Sequence, residues 1–209
     1  MRERQLPDFR YARQIWWLSS IKNKNRQWCD SLLERDYLLS MEFDDEILGY
    51  RSQPISLVYE NNEGELRRYT PDAYIKTSAG GYLKEVKVRK YIDDETQHTL
   101  NLVNKDIHHR LGTTVTFVCD DEIRIGKRIQ NLSLLYSYKR INEEKCYDSP
   151  LLNEIDNRIR FRELILLAEK MKQPKSLPLT LVAHGLLTFD TTELLNLSTT
   201  LENNIEKTK

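Results

Sequence analysis

The residues with the most evident chemistry lie in one stretch, Tyr69 to Lys87, which reads YTPDAYIKTSAGGYLKEVK. An aspartate follows a proline (Pro71-Asp72), two glycines form a turn (Gly80-Gly81), and a glutamate stands two residues before a lysine (Glu85-Val86-Lys87). Alternating apolar and polar residues on both sides of the glycines predict two strands joined by a short turn. Strand side chains repeat with period two, so Glu85 and Lys87 share a face and Val86 points away. Two carboxylates and an ammonium converging on one side of a sheet suit metal-assisted attack on a phosphodiester. Hard carboxylate oxygens select Mg2+ or Mn2+ over zinc, as one or two ions.

Composition narrows the class. The 209 residues can bury a full core as one large domain or two small ones. Lys+Arg and Asp+Glu balance at 32 each, so net charge points to no polyanion, but the charges are unevenly spread. Met1 to Trp28 and Leu66 to Lys90 each hold seven Lys or Arg against two acids, enough to focus a local positive field. Arg10, Arg13 and Arg26 in the first segment and Arg68, Lys84, Arg89 and Lys90 in the second are candidate contacts to DNA phosphates. Equally, such segments can be solvated strands, and Trp16 and Trp17 read as packing residues of an N-terminal arm or helix. Cys29, Cys119 and Cys146 are too widely spaced for a zinc site and odd in number, which fits a reducing cytoplasm. With no long apolar run and no apolar segment near the start, neither a membrane span nor a signal peptide is expected.

The elements that must position the acids follow from periodicity. Ser31 to Phe43 predicts a helix with Leu33, Tyr37, Leu38 and Met41 inward. Ser31-x-x-Glu34 fits a capping box, which is a purely structural role for Glu34. The same residue leans toward the core, where a free carboxylate is costly unless paired or bound to metal. Strands follow over Ile47–Tyr50, Ile55–Tyr59, Leu66–Thr77 and Tyr82–Lys90, as an antiparallel meander whose Pro71 marks an edge, bulge or strand end. A helix over Asp93–Arg110, a strand over Thr113–Cys119, a turn with a short strand over Asp120–Ile125 and a helix over Gly126–Lys139 complete an α/β fold around a mixed sheet. Asn142 to Pro150 reads as a linker. Beyond it Leu151–Met171, Leu179–Gly185 and Thr191–Leu201 read as helices, with Asp190 capping the last, a weak match to a helix-turn-helix or winged-helix module. The expected organisation is thus an arm or helix over 1–30, a core over 31–141 and a helical domain over 142–209.

Pro-Asp and Glu-x-Lys, separated by a glycine turn and preceded by a helix glutamate, match the PD-(D/E)xK nuclease pattern. The wider run is more specific: Ser31-Leu-Leu-Glu34-Arg-Asp-Tyr, Glu42-Phe-Asp, Gln53-Pro54, Arg68-Tyr-Thr-Pro-Asp72 and Glu85-Val-Lys87. Over about Asp30 to Tyr138 it resembles TnsA, the endonuclease subunit of heteromeric cut-and-paste transposases. That resemblance implies a restriction-endonuclease-like core. Within it Glu34 completes the metal site, Asp72 is the central ligand, Val86 lends its carbonyl, Lys87 serves the attacking water and Gln53 helps to orient the site. Glu85 stands where some members look glutamine-like, and its acid fits the general nuclease pattern. Double-stranded DNA at transposon ends, a partner transposase (TnsB) and an AAA+ regulator (TnsC) docking near the C-terminal region are the implied partners. The implied activity is cleavage of the non-transferred strand. A stand-alone restriction or repair nuclease and a non-catalytic DNA-binding architectural subunit are the competing readings.

Overall fold

The structure is a computed structural model that describes residues 14–141, 146 and 148–204. The chain divides into two compact units, Met1–Arg124 and Ile125–Lys209. Among the described residues no helix is long and apolar enough to cross a membrane.

The first unit is built on a four-stranded mixed sheet. Its strands are β3 (Ile47–Ser52), β6 (Ala73–Thr77), β7 (Gly80–Lys87) and β8 (Val115–Cys119), in the order β3-β6-β7-β8. The first three run antiparallel, and β8 lies parallel to β7 after a crossover through helix α2 (Asp94–Leu111). Leu100, Val103 and Ile107 of that helix bury themselves against Leu83 and Val115 of the sheet and Leu57. Asp93 caps α2 by accepting from Thr96 N–H, and Gly112, at φ 64°, ends it in a left-handed conformation that a β-carbon would disfavour. Helix α1 (Leu32–Glu42) contributes the buried Leu33, Leu38, Leu39 and Met41.

Two departures from the expected fold matter for the site. The segment read as an N-terminal arm or helix is, where described, a hairpin of β1 (Trp16–Ser20) and β2 (Asn25–Cys29). Its alternation buries Leu18, Ser20, Gln27 and Cys29, and Trp17 is half exposed instead of packed inward. The expected meander also breaks in two: β4 (Leu57–Glu60) and β5 (Leu66–Tyr69) form their own two-stranded sheet, and the chain turns at Pro71-Asp72 into β6. A proline has no N–H to give a ladder, so the strand must stop there. Residues Asp120–Ile123 form a short helical turn, α3, instead of a strand.

In the second unit α4 (Arg128–Lys139), β9 (Arg158–Arg160), α5 (Phe161–Lys170), α6 (Leu177–Ala183), β10 (Leu187–Thr188) and β11 (Thr200–Asn203) follow in order. The three strands make an antiparallel sheet in the order β10-β11-β9. Thr191–Leu201, expected as a helix, is instead a loop running into β11. Buried Asn131 holds that loop, donating to Thr191 and Glu193 carbonyls at 2.8 and 2.7 Å and accepting from Leu195 N–H at 3.0 Å.

Candidate active site

Asp72 sits at the corner between the β4-β5 sheet and the four-stranded sheet of the first unit. Its carbonyl accepts from Gln53 N–H at 2.8 Å, which fixes the corner to the end of β3. Gln53 is buried and held at φ 42°, an uncommon conformation for a residue with a side chain. The preceding residue is held from the hairpin: Gln27 Oε1 accepts from Ser52 N–H at 2.9 Å, and Ser52 Oγ accepts from Trp28 N–H at 3.3 Å. Gln53 therefore supports the site through its backbone, at the end of a chain of contacts that starts in β2.

Because β6 begins only at Ala73, opposite Lys84, the strand beyond Glu85 has no ladder partner on that side. The side chain of Asp72 takes the place of one. Its Oδ2 accepts from Val86 N–H at 2.7 Å. Its Oδ1 receives no hydrogen bond from the described residues. Burial, then the charges of Glu85 and Glu34, hold this carboxyl well above the usual carboxylate range, against the opposing pull of Val86 N–H and Lys87.

Glu85 and Lys87 project together from β7, as the period-two spacing requires. Glu85 is buried, 7 % exposed, and both of its oxygens are engaged. Oε1 lies 2.9 Å from Lys87 Nζ, and Oε2 accepts from Tyr69 OH at 2.8 Å. Burial favours a neutral Lys87, but Glu85, then Asp72 and Glu34, outweigh it and raise the ammonium above the usual lysine range. Lys87 therefore stays protonated at neutral pH. A cavity of about 210 Å3 opens beside the pair, lined by Tyr69, Glu85, Lys87, Thr96 and Phe117 among others. Tyr69 is the residue that motif reading passed over; its place three positions before Asp72, ending the strand that precedes the corner, was the available signal.

Glu34 performs the cap. Ser31 Oγ accepts from Glu34 N–H at 3.1 Å, and in return Glu34 accepts from Ser31 Oγ at 2.7 Å and Asp30 N–H at 2.9 Å. The same carboxylate is close enough to the other acids to act on them electrostatically. Burial, opposed by the hydrogen bonds from Ser31 and Asp30 and helped by the charges of Asp30 and Glu85, raises its own pKa. Burial, then Glu34, also pushes the nearby Cys29 thiol up to about 12. Among the described residues, the carboxylates of Glu34, Asp72 and Glu85 do not all draw within 4.8 Å of one another, whereas the ligand atoms of Cys119, Asp121 and Glu122 do. That second group is already matched by a cation, since Arg89 binds both Asp121 and Glu122.

Glu34, Asp72 and Glu85 offer the hard carboxylate oxygens that a divalent cation takes, although those oxygens do not converge as they stand. Three carboxylates face one ammonium, and Asp72 Oδ1 is an unpaired oxygen in a partly buried setting.

The candidate DNA contacts separate. Arg10 and Arg13 lie outside the described residues. Arg26 is exposed on β2 and Arg68 on β5. Lys84 lies on the opposite face of β7 from Glu85, 5.5 Å from the Tyr82 ring. Lys90 stacks over Tyr91 at 4.8 Å. Arg89 is committed to its two acids.

Residues 44–110 match a family model described as TnsA-like endonuclease N terminal. The match spans about a third of the chain, includes Asp72, Glu85 and Lys87, and begins after Glu34. It supports likeness to a TnsA-like nuclease, and therefore to an enzyme of transposition acting on DNA. No curated protein gives a significant match.

Proposed function

We propose that this protein is a metal-dependent DNA endonuclease of a cut-and-paste transposition system, cleaving the non-transferred strand at transposon ends together with a partner transposase of the TnsB kind. The observation that carries this reading is the arrangement around Asp72: one oxygen pinned by Val86 N–H, the other unpaired, with Glu85 and a protonated Lys87 presented from the adjacent strand. Its occurrence inside the matched segment joins the geometry to a nuclease family.

Asp72 and Glu85, with Glu34 and the Val86 carbonyl, would hold Mg2+ or Mn2+, as one or two ions. A cation bound there supplies Lewis-acid stabilisation of the phosphoryl oxygens and a lower pKa for water. The protein residues do the rest. Lys87 donates from its ammonium to the attacking water and to the oxygens on which charge develops. The water's proton leaves to solvent, to a carboxylate or to Lys87 when that side chain is neutral. Glu85 keeps Lys87 in place, and the cavity beside them gives the water its approach. Attack at phosphorus in line with the P–O3′ bond breaks that bond, O3′ takes up a proton as it leaves, and a 5′-phosphate and a 3′-hydroxyl result.

The second unit's order of helix, strand, two helices and two strands supports a winged-helix-like module. We assign to it the docking of an AAA+ regulator of the TnsC kind, and to the whole system a cytoplasmic setting. Because the compact unit starts at Ile125, removing residues 125–209 is the truncation that should sever that association.

The active-site reading is tested with Asp72→Ala in Mg2+, on a duplex carrying a transposon end, with the partner transposase supplied. Nicking should fall below detection while DNA and partner association persist. Unchanged nicking overturns the assignment.

A further inference from the structure

Tyr69 ends β5, in a different sheet from Glu85, and its ring packs against the cluster formed by Leu57, Leu83, Val115 and α2. Its hydroxyl emerges from that apolar setting and donates to Glu85 Oε2 at 2.8 Å, while Glu85 Oε1 faces Lys87 at 2.9 Å. The glutamate is thus tied at both ends. A glutamate has three side-chain torsions, and this one borders a cavity of about 210 Å3, which leaves its carboxylate room to turn. A tyrosine has two, and here packing fixes the ring, which makes its hydroxyl a stationary point. The contact also bridges the two sheets on either side of the Pro71-Asp72 corner.

Resting on the nuclease reading above, we propose that Tyr69 is a positioning residue: its hydroxyl holds Glu85 in the rotamer that presents Oε1 to the bound cation and to Lys87. Outer hydrogen-bond partners of ligating carboxylates set ligand orientation, and losing one lowers metal affinity or activity by about 10- to 100-fold. Tyr69→Phe removes the hydroxyl and keeps the ring, so it isolates this contact from the packing.

The test is Mn2+ binding by calorimetry on the full chain, with Mg2+-dependent nicking as a second readout. The variants are Tyr69→Phe, Glu85→Ala, the double variant and Asp72→Ala. Tyr69→Phe should weaken Mn2+ binding about tenfold and lower nicking comparably. In the Glu85→Ala background the same change should add less than about twofold, because the group it positions is gone. An equal loss in both backgrounds shows that the hydroxyl acts on something other than Glu85 and overturns the proposal, whatever happens to the melting temperature. Tyr69→Phe binding Mn2+ as the parent does, with Asp72→Ala losing it, also overturns the proposal and leaves the metal site standing. Asp72→Ala binding Mn2+ normally removes the metal site and this role with it.

Discussion

Replacing Asp72 with asparagine should make the protein more stable and inactive. The amide keeps the volume and an oxygen to accept from Val86 N–H, now at 2.7 Å, but removes one of three negative charges around Lys87. Burial, followed by Glu85 and Glu34, raises the native pKa of Asp72 well above the usual carboxylate range. A carboxyl with a raised native pKa binds its proton more tightly in the fold than in the unfolded chain. Stability therefore falls as pH rises through that interval: the contribution is fully present below the unfolded value and lost above the native one. Asparagine has no such titration. The two proteins should melt alike at the acid end, and the variant should lead at neutral pH by about 0.5–2 kcal/mol, the usual gain from relieving a strained functional group. For a chain of this size that is roughly 1–8 °C. Mn2+ should reverse the order, since an ion at about 100 times its Kd stabilises the parent by about 2.7 kcal/mol and the variant far less. Thermal melts between about pH 3.5 and 8 start below the ordinary aspartate value of about 3.9, and running them with and without Mn2+ reads both effects. If the variant melts below the parent at neutral pH without metal, or gains as much from Mn2+, the reasoning is refuted and Asp72 is an ordinary structural acceptor.

Glu34→Gln retains an oxygen for the helix cap, so the melt should move by about 1 kcal/mol or less, while nicking is lost if the residue also serves the metal; retained nicking reduces Glu34 to a cap. Glu42 is fully buried and accepts from Ser20 Oγ, Ile21 N–H, Lys22 N–H and Tyr50 OH, so Glu42→Ala should cost about 3 kcal/mol or more by chemical denaturation. Arg68→Ala should weaken DNA binding and reduce the salt slope by about one contact, whereas Arg89→Ala, with its side chain already committed to Asp121 and Glu122, should leave affinity within about twofold. Binding isotherms across a salt series distinguish the two.

The parts of this fold that were legible in the sequence are those where local pattern and tertiary burial agree. Helix α2 is marked in the sequence by Asp93 and Gly112 at its ends and by Leu100, Val103, Ile107 and Leu111 between them. The structure uses both caps and buries the first three of those apolar positions, leaving Leu111 exposed. The Glu85–Lys87 face followed from strand periodicity alone. The hairpin at 16–29 was hidden because Trp16-Trp17 and a run of cations obscure its alternation, and only half of each strand's residues are buried. The stretch after Asp190 misled for another reason. Leu194, Leu195, Leu197 and Leu201 resemble a helical stripe, yet only Leu195 and Leu201 are buried. Asp190, Asn196 and Thr199 instead bond to nearby backbone N–H groups, offering the chain turns in place of a helix.

Glu34 shows why the site was harder to read than the fold. Ser31-x-x-Glu34 is sufficient for a cap, and the cap is made, so sequence and geometry agree on a role that needs no chemistry. What marks the residue as more than a cap is its surroundings: a second buried acid, Glu85, bears on it, and it bears in turn on Asp72, Lys87 and Cys29. A structural role gives no reason to gather three carboxylates around one ammonium, because each added charge makes burial of the next more costly. A fold keeps such an arrangement against its own stability when something outside the chain completes it. On the function proposed above a cation would do so, and it would have to draw Glu34 partly away from Ser31 and Asp30 to bring all three acids into its coordination shell. The helix cap and the metal site would then compete for one side chain, which would tie the start of α1 to occupancy of the site.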